Sequence, residues 1–256
     1  MKRYVSILMA LMMIFTSACA ASAEEPATTS ETAAVTEENP AAAEETPAVA
    51  EETPAAAEGT PATADDPNRI NYLVLVNKEN AIPDDWEANL NLVTTTDVEG
   101  NEVKLEAEAL DQFNKLHEAL MEQNVDLEIT DAYVSVEDQQ RIMDGFIYEW
   151  GEEYAKEVLD APGYSEFHTG LAFDICFVKK GQIQDDKEYM YSDCKKQFRK
   201  LYEILTDYGF IVRYPEGKED ITGHGFEPWH LRYVGSPEIA KEITEQGLTL
   251  EEYLAK

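Results

Sequence analysis

The sequence predicts an α+β fold, a single compact domain with a small, mainly antiparallel sheet flanked by helices. Three observations predict it. Apolar residues recur at helical spacing in several stretches after residue 100, and short β-branched runs stand between them. These stretches lack the strict βαβ alternation that a parallel sheet requires. Everything before residue 67 is compositionally unable to join a core, so the fold belongs to residues 67–256.

Taken in order, the first 23 residues read Met1-Lys2-Arg3, an apolar run from Val5 to Phe15, and then Ala21-Ser22-Ala23. A basic start, an apolar run shorter than the ~20 residues of a membrane span, and a small-residue cleavage site predict a removed export signal. The expected location is the cell envelope or the extracellular space. Cys19 offers a lipidation site that would tether the protein instead. Residues 24–66 are almost wholly Glu, Ala, Thr and Pro, with 12 acidic residues and no basic or aromatic one. Such a segment buries too little to offset its own chain entropy, so a disordered acidic linker is expected.

In the remainder, Ile70 to Val76 is an apolar, β-branched run that predicts a strand. Ala109, Phe113, Leu116 and Leu120 mark a helix over about 106–123. Val125 to Tyr133 alternates in part and predicts a strand. Ser135 starts the next helix, with Ile142, Phe146 and Trp150 as its apolar face. Leu171 to Val178 predicts a strand. Phe198, Leu201, Leu205 and Tyr208 form another helical stripe ended by Gly209, followed by a strand at Phe210 to Tyr214. Ser236-Pro237-Glu238 opens a last helix.

Residues 67–256 hold 40 acidic residues against 18 basic ones. That balance excludes nucleic acid and anionic lipid as partners, because their phosphates would be repelled. A monomer is expected, touching a membrane only through an anchor at Cys19. Cys176 and Cys194 are too few for a disulfide framework and are expected to be free, partly buried thiols.

His117 falls on the polar side of a helix, where solvation accounts for it. The other three histidines stand in two polar clusters. Ser165 to Asp174 places an acid inside an apolar strand, where it needs a hydrogen-bond partner or a cation. In Gly225 to Gly235, Pro228 keeps Glu227 out of the helical region, so a loop presents Glu227 and His230. Catalytic zinc takes three N/O ligands and leaves one position for water, whose proton a nearby carboxylate can accept. His168, Asp174, Glu227 and His230 supply that inventory, with a hydrogen-bonded core Asp174 as the alternative.

Ser165-Glu166-x-His168-Thr169-Gly170-Leu171-Ala172-x-Asp174-Ile175, Gly209 to Lys218, and Glu227-Pro228-Trp229-His230-x-Arg232-Tyr233-Val234-Gly235 resemble, in order, the signatures of VanY-type zinc D-alanyl-D-alanine carboxypeptidases. The likeness spans about 70–236. It implies a fold of the zinc D,D-carboxypeptidase (hedgehog-like) type, one zinc ion, and hydrolysis of a terminal D-alanine from peptidoglycan stem peptides. It implies that Asp174 and His230 are zinc ligands and that Glu227 is the general base. Tyr133, Ser135 and Gln140 match the substrate-side motif and Ser165 opens the zinc signature, so all four are implied to face the substrate.

Two positions depart from that pattern. The family's first zinc ligand, a histidine seven residues before the aspartate, is Phe167 here. His168 stands beside it, and a shift at Gly170 would bring it to the metal, making His168 the candidate third ligand. His224 is a second substitute. The family's arginine between Tyr133 and Ser135 is Val134, which can stabilise neither an oxyanion nor a substrate carboxylate. The expectation is a zinc peptidase of this family with impaired activity, or a catalytically silent peptidoglycan-binding module on the same fold.

Overall fold

The structure is a computed structural model and describes residues 70–256. The export signal, Cys19 and the acidic linker lie outside the described residues. Along the chain come α1 (Trp86–Asn89), a hairpin of β1 (Leu92–Thr96) and β2 (Glu102–Glu106), α2 (Ala107–Glu122), β3 (Asp126–Asp131), α3 (Val136–Trp150) and α4 (Glu152–Val158). A 3-10 turn at Glu166–Thr169 leads into β4 (Ala172–Lys179) and β5 (Gln182–Gln184), then α5 (Met190–Asp193) and α6 (Lys195–Ile204). After a second 3-10 turn at Leu205–Tyr208 follow β6 (Phe210–Tyr214), α7 (Glu219–Thr222), β7 (Glu227–Tyr233), α8 (Pro237–Glu245) and α9 (Leu250–Leu254).

Among the described residues the main sheet has the order β3-β4-β7-β6, with β5 paired to the far end of β4, and every pairing is antiparallel. The expected α+β architecture is the one found. Helix α2 supplies the core with Ala109, Phe113, Leu116 and Leu120, at the spacing seen in the sequence. They meet Leu127, Phe173, Phe198, Phe210 and Leu231. The Phe173 ring is set edge-on to Phe113 at 5.2 Å and to Phe210 at 5.5 Å, a favoured aromatic geometry. Capping fixes the helix starts. The Glu106 carboxylate accepts from the amides of Glu108 and Ala109, and the Ser135 and Ser236 hydroxyls cap α3 and α8.

Four elements differ from expectation. Ile70 to Val76 is not a strand, because Arg232 Nη2 donates to the Tyr72 and Val74 carbonyls at 2.9 and 2.8 Å, which a ladder would otherwise use. Phe146 of the expected α3 face is buried, whereas Trp150 is 47% exposed, and Gln139 and Met143 turn inward beside Phe146. Residues 227–233 form the central strand β7 where a loop was expected. Helix α8 is followed by α9, which opens on a capping box at Thr249. Cys176 and Cys194 are free and buried.

Candidate functional site

Strand register assembles the site. Asp174 of β4 stands opposite Asp131 of β3 on one side and opposite His230 of β7 on the other. Glu227, at the start of β7, pairs with Tyr214 of β6. The Glu166–Thr169 turn folds back beside β4 because Gly170 adopts φ +67° there; a Cβ would lie 3.1 Å from Leu92 and 3.5 Å from the Glu106 amide nitrogen. Asp174, Glu227 and His230 converge on a cleft of about 440 Å³, which Val134, Phe167, Lys187 and His224 also line.

His230 sits between two carboxylates. Its Nδ1 is 2.7 Å from Asp174 Oδ1, and its Nε2 faces Glu166 Oε2 at 3.4 Å. Burial alone would lower its pKa, but the two carboxylates outweigh burial and raise it to about 10. Glu166 is buried, with Arg213 Nε at 2.6 Å and Arg232 Nη1 at 2.7 Å on its other oxygen. Burial would raise its pKa; the two guanidinium groups and His230 hold it well below the carboxylate range instead. Arg213 also forks onto Glu251 of α9 at 2.6 and 2.9 Å, tying the last helix to the sheet.

Asp174 accepts on its second oxygen from Lys187 Nζ at 2.5 Å. Against the effect of burial, Lys187 and His230 keep its carboxyl ionised, and Asp174 and Asp131 raise the lysine in turn. Glu227 differs. Burial pushes its carboxyl upward, the Asp174 charge adds to this, and His230 opposes it. A carboxyl so raised is suited to exchanging a proton. His224 stacks on Tyr214 at 4.2 Å, with Nδ1 3.9 Å from Glu227 and Nε2 3.4 Å from Asp160.

The site brings together some of the residues singled out in the sequence and corrects others. Asp174, Glu227, His230 and Ser165 line the cleft. His168 does not serve as the third ligand: its Nδ1–H donates to the Val134 carbonyl at 2.7 Å, and its Nε2 accepts from the Gly163 amide at 3.0 Å. Both ring nitrogens are occupied in pinning the 3-10 turn, and burial lowers its pKa, keeping the ring neutral. Ser135 spends its hydroxyl on the α3 cap and on Asp138 Oδ2. Tyr133 is half-buried, and burial, with Glu87 of α1 nearby, pushes its phenol up. Gln140 is exposed and donates to Asp144, whereas its neighbour Gln139 is buried, lines the cleft and donates to the Asp160 carbonyl at 2.8 Å. The helical phase of α3 decides between the two glutamines, and the sequence motif alone does not. Lys187 was missed altogether, since it belongs to no motif.

An antiparallel α+β scaffold with an Asp, a His and a Glu converging on one cleft defines a metallopeptidase-type hydrolase framework. Residues 102–236 match the family model VanY: D-alanyl-D-alanine carboxypeptidase. The chain is 37% identical over 193 residues to the putative carboxypeptidase YodJ of Bacillus subtilis (strain 168), covering 74% of this chain and 69% of that protein. The solved LdcB LD-carboxypeptidase superposes with a TM-score of 0.63 at 36% identity, covering 73% of this chain and 86% of that one. A vancomycin-resistance D,D-pentapeptidase VanY solved with Zn(II) has a TM-score of 0.56 at 32% identity, covering 72% and 98%. This chain belongs to the VanY family of D-alanyl-D-alanine carboxypeptidases.

The zinc ion that the family implies does not fit the residues present. Catalytic zinc takes three protein ligands. At the first ligand position stands Phe167, whose ring packs edge-on against His230 at 5.1 Å and offers no donor atom. His168 does not replace it, since both of its ring nitrogens are held by backbone groups, and His224 stands off between Asp160 at 3.4 Å and Glu227 at 3.9 Å. Among the described residues, the group of three metal-type side chains with converging ligand atoms is His117, Asp126 and Glu128, half-exposed and outside the cleft.

Proposed function

We propose that this chain recognises peptidoglycan stem peptides in its VanY-type cleft without hydrolysing them. It does so outside the cell, carried on the acidic 24–66 segment. The stem peptide is the substrate class of the family, and the cleft keeps the family's Asp174, Glu227, Trp229 and His230 on one framework. The observation that carries the loss of hydrolysis is Phe167 against His230: the position that should donate a ligand presents a hydrocarbon edge. Val134 removes the family's arginine as well, and an oxyanion donor of that kind is worth about 3 kcal/mol in the barrier.

A second reading keeps hydrolysis, and the raised carboxyl of Glu227 favours it, because a base poised to take a proton is retained. One experiment separates the two. The purified protein is titrated with a peptide ending in D-Ala-D-Ala, followed by fluorescence, while free D-alanine is assayed. Saturable binding, insensitive to chelator and without release, is the expected result. Release that disappears in Glu227→Ala would establish the hydrolase, and no binding at all would remove the recognition role.

A further inference from the structure

We propose that the Lys187 ammonium is the resident cation of this cleft and takes the place of the family's metal ion. The inference deepens the reading above, resting on its claim that zinc is not held, and it concerns what neutralises the site instead. Asp174 is buried beside Asp131 and Glu227, so even with the His230 ring on one of its oxygens the cluster holds an excess of carboxylates that calls for a further cation. Lys187 Nζ lies 2.5 Å from Asp174 Oδ2, on the carboxylate that matches a zinc ligand, and 5.7 Å from the centre of the Trp229 ring. Its approach is built into the chain. Residues 186–190 form a tight turn in which the Asp186 carbonyl accepts from the amides of Tyr189 and Met190, and its carboxylate accepts from Glu188. Met190 is buried and anchors the turn. The lysine therefore enters from a fixed loop, with its stem half-exposed and its ammonium on the buried carboxylate.

Phe167 and Lys187 are thus two parts of one replacement. The first removes a ligand, and the second supplies the charge the ion would have brought. A tethered ammonium competes with a metal for Asp174, so returning the histidine alone should not return the metal.

The test is zinc titration calorimetry on Phe167→His and on Phe167→His combined with Lys187→Met. The double variant should bind one zinc at least about tenfold more tightly than the single one, the scale on which neighbours of a metal site alter affinity. A smaller ratio would show that the lysine is no competitor and would overturn the proposal. A second measurement covers the case in which these variants fold poorly. In the otherwise native chain, Lys187→Met should lower the thermal midpoint, and adding Asp174→Asn should restore part of the loss. An unchanged midpoint in Lys187→Met would also overturn the proposal. Neither measurement reads peptide binding, so failure here leaves the recognition role standing and its failure leaves this inference standing.

Discussion

Glu166 and Asp174 flank the same histidine, and both are buried carboxylates, yet they are neutralised in different ways. Glu166 is held by Arg213 and Arg232, which rise from adjacent strands, are fully buried and present rigid guanidinium forks. Through Glu251, Tyr72 and Val74 those arginines also tie both ends of the domain to the sheet. Asp174 shares the His230 ring on one oxygen and is held on the other by a single lysine from a loop. The first arrangement serves the scaffold and leaves no freedom. The second serves the cleft, where a flexible amine can stand in for an ion without altering the strands. The difference teaches that the charge cluster behind the cleft is fixed by the strands themselves, whereas the charge inside the cleft depends on a loop.

The largest expected effect comes from breaking the scaffold side. Glu166→Gln leaves two buried arginines short of their counter-charge and should cost about 3–5 kcal/mol of stability in urea unfolding. A pH series sharpens this. The folded pKa of Glu166 lies below its ordinary value of 4.5, so its stabilisation is complete above that value and is lost as pH falls below it. The acid slope of the native protein should therefore be partly absent from the variant. On the cleft side, Lys187→Met should cost less, about 1.5–3 kcal/mol, the range for a hydrogen bond to a charged group, since His230 still serves Asp174. Equal losses at the two sites, measured in the same titration, would erase the distinction. The smallest effect is expected from Phe167→His, a half-buried position lining the cleft, where stability should fall by about 1 kcal/mol, the centre of the range for single substitutions.

Much of this was legible in the chain itself. Helices α2, α3, α6 and α8 announce themselves through apolar spacing and capping residues, and β3, β4 and β6 through β-branched runs bounded by turns. Asp174, Glu227 and His230 follow from their motifs. What escaped did so for physical reasons. The 70–76 run has the composition of a strand, but its carbonyls are claimed by Arg232, more than 150 residues away. Strand β7 was concealed by Pro228, which sits near the strand's start, where a missing amide is tolerated. The β1–β2 hairpin was missed although Val93, Thr94, Thr95 and Thr96 before the Asp97–Asn101 turn were a usable signal. His168 was expected to reach the metal through a shift at Gly170, but the 3-10 turn holds its ring on the Val134 carbonyl and the Gly163 amide, which the motif does not reveal. Lys187 carries no local signature, and only the folded 186–190 turn places it on Asp174.

The most direct test is the metal content of the native protein after exposure to excess zinc and dialysis, read by elemental mass spectrometry. A cleft neutralised by its own ammonium predicts no stoichiometric zinc and a thermal midpoint indifferent to chelator. One tightly held zinc per chain, with a midpoint that drops on chelation, would contradict the account.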